Sequence, residues 1–200
     1  MSPLTLVRLD AAPLAVPLLE PFVIASARVA VTPSVLLRAV LEDPATGRRR
    51  AGLGEAASLP GVTHEGPDDV LALVRACAAS LRGSPCTTDT LPALLDGAFA
   101  GSSVTRGGVE AALLDAMAKH QGLPLYRLLD LSRASAPTLR TDITVPILGA
   151  DLMATRAREW NARGFSTFKV KVGISLDYDL RALRAMHEAV PGATFRIDAN

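Results

Sequence analysis

Residues 165–200 read FSTFKVKVGISLDYDLRALRAMHEAVPGATFRIDAN, and this stretch decides the fold of the chain. Its opening TFKVKVG alternates apolar and polar residues, a period of two that predicts a strand with Lys169 and Lys171 on one face. Its closing TFRIDAN predicts a second strand, which carries Asp198 on its polar face. The helical spacing of residues 175–190 predicts a crossover helix, so the two strands are expected to be parallel neighbours. We therefore expect Lys169, Lys171 and Asp198 to meet at the carboxyl end of a parallel sheet, where α/β proteins place their chemistry.

The use of lysine in this chain is selective. Of the 21 basic residues only three are lysines, namely Lys119, Lys169 and Lys171. Arginine stays protonated in proteins, whereas lysine can lose its proton, and like-charge repulsion within a pair lowers the pKa of each lysine. The pair at the strand end therefore indicates acid–base chemistry. The competing interpretation is a pair of lysines that extend into solvent from the edge of a sheet.

The composition indicates a globular protein without a nucleic-acid or membrane partner. The 200 residues carry a formal net charge of +1 and are 49% hydrophobic, which suits one or two domains with a sizeable core. The balanced charge gives no argument for a nucleic-acid partner, and no run reaches the roughly 18 apolar residues of a membrane span. Cys77 and Cys86 do not form a disulfide framework, so we interpret both as reduced and structural. The N-terminus lacks a signal-peptide pattern, and a cytoplasmic location is expected.

The first part of the chain predicts an α+β domain. Residues 4–9 and 34–42 have strand patterns, and a third strand continues through Gly54 after the turn in EDPATGRRR, which together predict an antiparallel sheet. The proline-bounded segment between the first two strands is interpreted partly as a surface loop. Three helices are then expected, beginning near Asp68, Asp89 and Val104.

After Leu139 the pattern changes to alternating strands and helices. Val145, Val170 and Ile197 mark the centres of three predicted strands that are 25 and 27 residues apart. This spacing predicts repeated βα units of a barrel or of a doubly wound sheet. We therefore expect the α/β fold class, with an α+β domain over residues 1–125 and the start of a βα domain over residues 126–200.

Two acidic residues have different predicted roles. Asp115 lies on an otherwise apolar helix face and is interpreted as a buried, hydrogen-bonded structural acid. Asp198 ends an apolar strand at the mouth of the sheet, where a carboxylate suits Mg²⁺. The segment GLGEAA at residues 52–57 matches a loose dinucleotide fingerprint, but it leads into Ser-Leu-Pro rather than into a helix, so no dinucleotide site is predicted.

Together these motifs resemble the enolase superfamily, and more narrowly its muconate lactonizing enzyme subgroup. The resemblance covers the whole chain and extends to PLLEPF, GLGEAA and the helix AALLDAMAKHQGLPLYRLLD. The segments TDITV, TFKVKVG and RIDAN together resemble dipeptide epimerases, including those that act on alanyl-glutamate. The resemblance implies an α+β capping domain followed by the first strands of an enolase-like (β/α)8 TIM-type barrel.

The resemblance also implies a Mg²⁺-dependent isomerase that removes the α-proton of a small-molecule carboxylate such as a dipeptide. In that family Lys171 would be the catalytic base, Lys169 would contact the substrate carboxylate and tune the base, and Thr144 would contact the substrate. Asp198 would bind the Mg²⁺ cofactor. The capping domain, with the loop near residues 22–33, would serve as a lid, and a homo-oligomer is expected.

Two positions depart from the family pattern. Alanyl-glutamate epimerases tend to carry an arginine in the loop after Pro21-Phe22, where this chain has Ala27 followed by Arg28. Arg28 is therefore the candidate for binding the second residue of the dipeptide. The sequence Leu128-Leu129-Asp130 stands where the family usually has Leu-Leu-Gly.

Other functions on the same scaffold stay open at this point, namely muconate cycloisomerase, o-succinylbenzoate synthase and N-acylamino acid racemase. A closed barrel takes eight strands and about 250 residues, whereas this chain predicts three barrel strands. We therefore interpret the 200 residues as the front part of a longer enzyme, inactive alone. The alternative from another class is a noncatalytic fragment that lacks the rest of the site.

Overall fold

The computed structural model describes residues 3–24, 27–59, 62–129 and 140–199. The chain divides into two units: Met1–Pro17 with Thr32–Ser135 form the first, and Leu18–Val31 with Ala136–Asn200 form the second. Each unit has its own core of buried apolar side chains. None of the helices found in these described ranges has the length and apolar character that crossing a bilayer requires.

An antiparallel sheet forms early in the chain, as predicted. Its strand order is β3-β2-β1-β4, and the strands are β1 (Leu4–Ile24), β2 (Ala27–Glu42), β3 (Arg49–Ala57) and β4 (Pro85–Cys86). The pairing of β2 with β3 runs from Ser34 opposite Ala57 to Glu42 opposite Arg49. The turn between them is closed by Asp43, whose carboxylate accepts hydrogen bonds from the Thr46 hydroxyl and the Ala45 N–H. These hydrogen bonds, the Thr46 one first, lower the pKa of Asp43.

The surface-loop interpretation of the segment between the first two strands is wrong. Strand β1 extends to Ile24 and β2 already begins at Ala27, so these residues form a long hairpin. Its prolines are Pro13, Pro17 and Pro21 in β1 and Pro33 in β2. In the described pairing, β4 meets β1 at Leu4 and Thr5, and backbone hydrogen bonds join Leu6 to Gly83 and Ser84, so the edge of β1 beyond Leu6 has no β4 partner. Proline lacks an N–H and is tolerated on such an edge, which is why a proline-rich segment is compatible with a strand here.

The first unit packs helices against one face of the sheet. The three predicted helices are present, β4 and the short α4 are additional, and the helices are α1 (Pro67–Leu81), α2 (Leu91–Phe99), α3 (Ser103–Gln121) and α4 (Leu125–Leu128). A Cβ at Gly52 or Gly54 would overlap the backbone of α3, so the two glycines permit a close approach of strand and helix. Asp115 on α3 accepts hydrogen bonds from the Leu53 N–H at 2.8 Å and from Lys119 Nζ at 2.6 Å. These contacts confirm that Asp115 is a hydrogen-bonded structural acid, but its side chain is 24% exposed, so the expectation that it is buried is wrong.

The second unit carries the predicted parallel strands. Among the described residues its sheet has the order β5-β6-β7, and its elements are β5 (Ile143–Val145), α5 (Ala150–Ala162), β6 (Thr167–Lys171), α6 (Leu176–Ala189) and β7 (Thr194–Asp198). Helix α5 is followed by Gly164 at φ +94°, a left-handed conformation that glycine adopts without a Cβ clash. Helix α6 begins after Ser175, whose hydroxyl accepts a hydrogen bond from the Tyr178 N–H. A helix connects each strand to the next, and all three strands are parallel. Their carboxyl ends therefore lie at one edge of the sheet.

Candidate active site

The strand register brings the predicted site residues together. Thr144 on β5 pairs with Lys169 on β6, and Lys171 on β6 pairs with Asp198 on β7. Paired residues on neighbouring strands lie on the same face of a sheet. Two rows of polar side chains therefore cross the sheet, and the row containing Lys171 and Asp198 lies nearer to the carboxyl ends.

Asp198 contacts both lysines. Its Oδ2 lies 2.7 Å from Lys169 Nζ and 3.0 Å from Lys171 Nζ. The lysines differ in environment, because the Lys171 side chain is 13% exposed and that of Lys169 is 39% exposed. The two ammonium groups thus converge on one carboxylate oxygen, and Lys171 is the more enclosed of the two.

The opposite face of the sheet is apolar and is covered along β5 and β6, whereas Ile197 on β7 is 63% exposed. Val145, Phe168 and Val170 are almost fully buried in the core formed with α5 and α6. Both lysines lie on the face away from Val170, as the alternation predicts. The solvent-edge interpretation of the pair does not fit this arrangement, because β6 is the central strand of the sheet.

Two further charged residues join the polar face, and the sequence analysis did not name them as site residues. Arg196 pairs with Lys169 in the ladder, and its guanidinium reaches across β6 to Asp142, with Nη1 at 2.8 Å from Oδ2. Asp142 immediately precedes β5. Their positions in the sequence could have identified them, because residues two apart in a strand lie on the same face. Asp142 lies two residues before Thr144, and Arg196 lies two residues before Asp198.

The loops that follow β5 and β6 are tied to each other. The hydroxyl of Tyr178 on α6 donates a 2.6 Å hydrogen bond to the carbonyl of Leu148. The Gly173 N–H donates to the carboxylate of Asp179 at 3.0 Å. These contacts fix the two loops at the carboxyl edge, next to the lysines.

The hairpin segment Leu18–Val31 belongs to the same unit as these strands. The N–H of Ile147, two residues beyond the end of β5, donates a 3.0 Å hydrogen bond to the carbonyl of Val23. This contact places the hairpin at the carboxyl end of β5. Arg28 lies in β2 with an exposed side chain, whereas the side chain of Ala27 lies outside the described residues.

The carboxylate of Asp198 is the candidate ligand for a divalent cation. Mg²⁺ commonly binds through one or two carboxylates and retains several water molecules. Asp198 provides one such carboxylate on the polar face, so this residue fits a Mg²⁺ ligand. Over residues 3–24, 27–59, 62–129 and 140–199, no group of three or more His, Cys, Asp or Glu side chains is arranged to hold a metal ion.

The environment of Cys86 does not favour a nucleophilic thiolate. Both Cys77 and Cys86 are free thiols in the first unit. Burial raises the pKa of the Cys86 thiol to about 11, which keeps it protonated at neutral pH. This environment agrees with the structural interpretation of Cys86.

Comparison with known proteins places these features in a family. Residues 152–200 match the family model of the enolase C-terminal domain-like proteins. The chain is 34% identical to an aromatic dipeptide epimerase from Herpetosiphon aurantiacus, over 99% of this chain and 54% of that protein. It is 36% identical to a hydrophobic dipeptide epimerase from Citrifermentans bemidjiense, over 92% of this chain and 50% of that protein.

A solved structure gives the same result at the level of the fold. The dipeptide epimerase from Cytophaga hutchinsonii in complex with Mg and the dipeptide D-Ala-L-Val superposes with a TM-score of 0.85 at 30% identity. That match covers 98% of this chain and 52% of the other. The chain thus spans about half the length of the curated relatives it matches.

Proposed function

The chain belongs to the enolase superfamily and resembles its dipeptide epimerases, and from this premise we propose that the whole protein is a Mg²⁺-dependent dipeptide epimerase. In this proposal it removes the α-proton of a carboxylate substrate and returns a proton to the opposite face. The cytoplasmic location and the homo-oligomeric state expected from the sequence stay predictions.

The observation that carries the proposal is the convergence of Lys169 and Lys171 on Asp198 at the carboxyl end of the parallel sheet. The α-proton of a carboxylate is very weakly acidic, so its removal needs a positioned base and positive charge near the developing negative charge. In the lysine pair, one lysine can serve as the base and the other can supply positive charge, and both lie within a few ångströms of Asp198. Lysine suits the role of base because, unlike arginine, it can become neutral.

Each residue has a distinct proposed role. Lys171, the more enclosed lysine, accepts the α-proton at its Nζ. Lys169 binds the substrate carboxylate as an ammonium ion, and Thr144, its neighbour in the ladder, donates a hydrogen bond to the substrate. Asp198 holds Mg²⁺, which when bound supplies positive charge where negative charge develops on the substrate carboxylate. Asp198 also holds Lys171 in position, at 3.0 Å.

The proposed substrate class is the dipeptides. The relatives at 34% and 36% identity are named for aromatic and hydrophobic dipeptides. Arg28 is the charged residue in the described part of the hairpin beyond Phe22, and we propose that it selects among the second residues of the dipeptide.

The proposal is tested with the purified full-length protein, Mg²⁺ and a panel of dipeptides in deuterium oxide. An epimerase exchanges the α-proton of one residue for deuterium and inverts that centre, and proton NMR detects both changes. Absence of exchange with every dipeptide, together with turnover of a muconate or an N-acylamino acid, would replace the dipeptide assignment by another reaction of the subgroup.

A further inference from the structure

We propose that Arg156 on α5 is a positioning residue that anchors the hairpin segment Leu18–Val31 at the carboxyl end of β5 and thereby affects substrate binding. The effect on substrate rests on the proposed function, whereas the anchoring itself does not. Arg156 lies in α5, and its described ion pairs are with Glu20 and Glu159 rather than with the lysine–aspartate cluster.

Arg156 joins two elements that are far apart in sequence. Its Nη2 lies 2.7 Å from Oε2 of Glu20, which is 136 residues earlier in the chain. Its Nη1 lies 2.8 Å from Oε2 of Glu159, one turn further along α5. The two carboxylates contact different nitrogens of the guanidinium fork, so the bond to Glu20 does not require the bond to Glu159.

A second contact holds the same segment three residues further on. The carbonyl of Val23 accepts the 3.0 Å hydrogen bond from the Ile147 N–H, just beyond the end of β5. At about 3.3 Å per residue, three residues of strand separate the two contacts by about 10 Å. One contact would fix only the position of the hairpin segment. Two contacts at that separation also fix the direction in which the segment runs relative to β5.

The anchored segment lies beside a candidate substrate contact. Phe22, between the two contacts, and Thr144 of β5 line one cavity together with Arg156. A shift of the hairpin base would therefore change the space next to Thr144. The hairpin also carries Arg28 beyond the second contact, so its direction determines where that side chain can reach.

The exposure of the pair determines the size of the effect. Glu20 is 50% exposed and Arg156 is 31% exposed, so their attraction is partly screened by solvent. Ion pairs of this kind make small contributions, and we expect loss of the pair to raise KM about two- to fivefold with little change in kcat. A contact of this strength can hold a segment in place without making it rigid.

The test compares Arg156→Gln and Glu20→Gln with the control Glu159→Gln in the full-length protein. Glu159→Gln removes only the contact within the helix and leaves the pair with Glu20. Hydrogen exchange of the Ile147 amide without substrate reports directly on its bond to Val23. We expect faster exchange in Arg156→Gln and in Glu20→Gln, wild-type exchange in Glu159→Gln, and partial recovery in Arg156→Lys.

Kinetic constants then connect the anchor to the substrate. We expect KM for the best dipeptide to rise in the same two variants that exchange faster, with kcat nearly unchanged. Wild-type exchange at Ile147 in both variants, or equal acceleration in Glu159→Gln, would overturn the inference. Since exchange is measured without substrate, this outcome is independent of whether the protein epimerises dipeptides. Faster exchange without any change in KM would overturn the link to substrate binding.

Discussion

Lys171 lies directly opposite Asp198 in the parallel ladder between β6 and β7, with its Nζ 3.0 Å from Oδ2. The ladder fixes this relationship through the backbone, so it does not depend on a flexible loop. Lys169 reaches the same oxygen from the preceding position on that face of β6. In the proposed roles of base and metal ligand, Lys171 and Asp198 on adjacent strands would be preorganised for proton abstraction.

Replacement of Asp198 by asparagine tests the metal role. The amide keeps the shape of the side chain but removes the negative charge that attracts Mg²⁺. We expect Asp198→Asn in the full-length protein to weaken Mg²⁺ binding by more than the roughly 10–100-fold typical of an outer-shell residue. Isothermal titration with Mg²⁺ measures this directly, and an unchanged affinity would exclude Asp198 as a ligand.

Arg28→Ala tests the proposed selection of the dipeptide by charge. If the Arg28 guanidinium binds an acidic second residue, the variant should raise KM for acidic dipeptides and leave KM for hydrophobic dipeptides unchanged. Steady-state kinetics with matched L-Ala-L-Glu and L-Ala-L-Leu substrates measure both. An equal KM for the acidic dipeptide in wild type and variant would show that Arg28 does not bind it.

Asp115→Ala tests the contact between α3 and β3. Removal of the carboxylate leaves the Leu53 N–H without its acceptor, which should lower the free energy of unfolding by about 1–3 kcal/mol. The control Lys119→Gln removes only the ion pair within α3 and should cost about 0.3–0.5 kcal/mol. Urea denaturation separates the two, and equal losses would show that the hydrogen bond to Leu53 adds nothing.

Cys86 gives the first unit a defined response to alkaline pH. Its folded-state pKa of about 11 lies above the ordinary thiol value of 9.0, so deprotonation favours the unfolded chain. Its contribution to stability is complete below pH 9 and is lost as pH rises through 11. We expect Cys86→Ala to flatten the fall in stability between these pH values, as measured by urea denaturation, and the same slope in both proteins would contradict this.

The sequence predicted the elements that build the site because each has a strong local pattern. The alternation around Lys169 and Lys171 and the helical spacing between the strands determine the parallel register, and with it the meeting of Lys171 and Asp198. The hairpin was misjudged because prolines such as Pro17 disfavour paired strands, and an open strand edge is a tertiary property that local sequence does not reveal. The contacts of Arg156 with Glu20 and of Arg196 with Asp142 depend on distant segments, and charge alone does not identify such partners.

The most direct test of the account is α-proton exchange in the Lys171→Arg variant of the full-length protein, measured in deuterium oxide for each stereoisomer of the substrate. Arginine keeps the positive charge beside Asp198 but cannot become a neutral base. We expect exchange from the isomer served by Lys171 to fall by about 10²–10⁴-fold or more, as is typical for loss of a general base, while exchange from the other isomer can persist. Exchange at near wild-type rates from both isomers would contradict the assignment of Lys171 as the base.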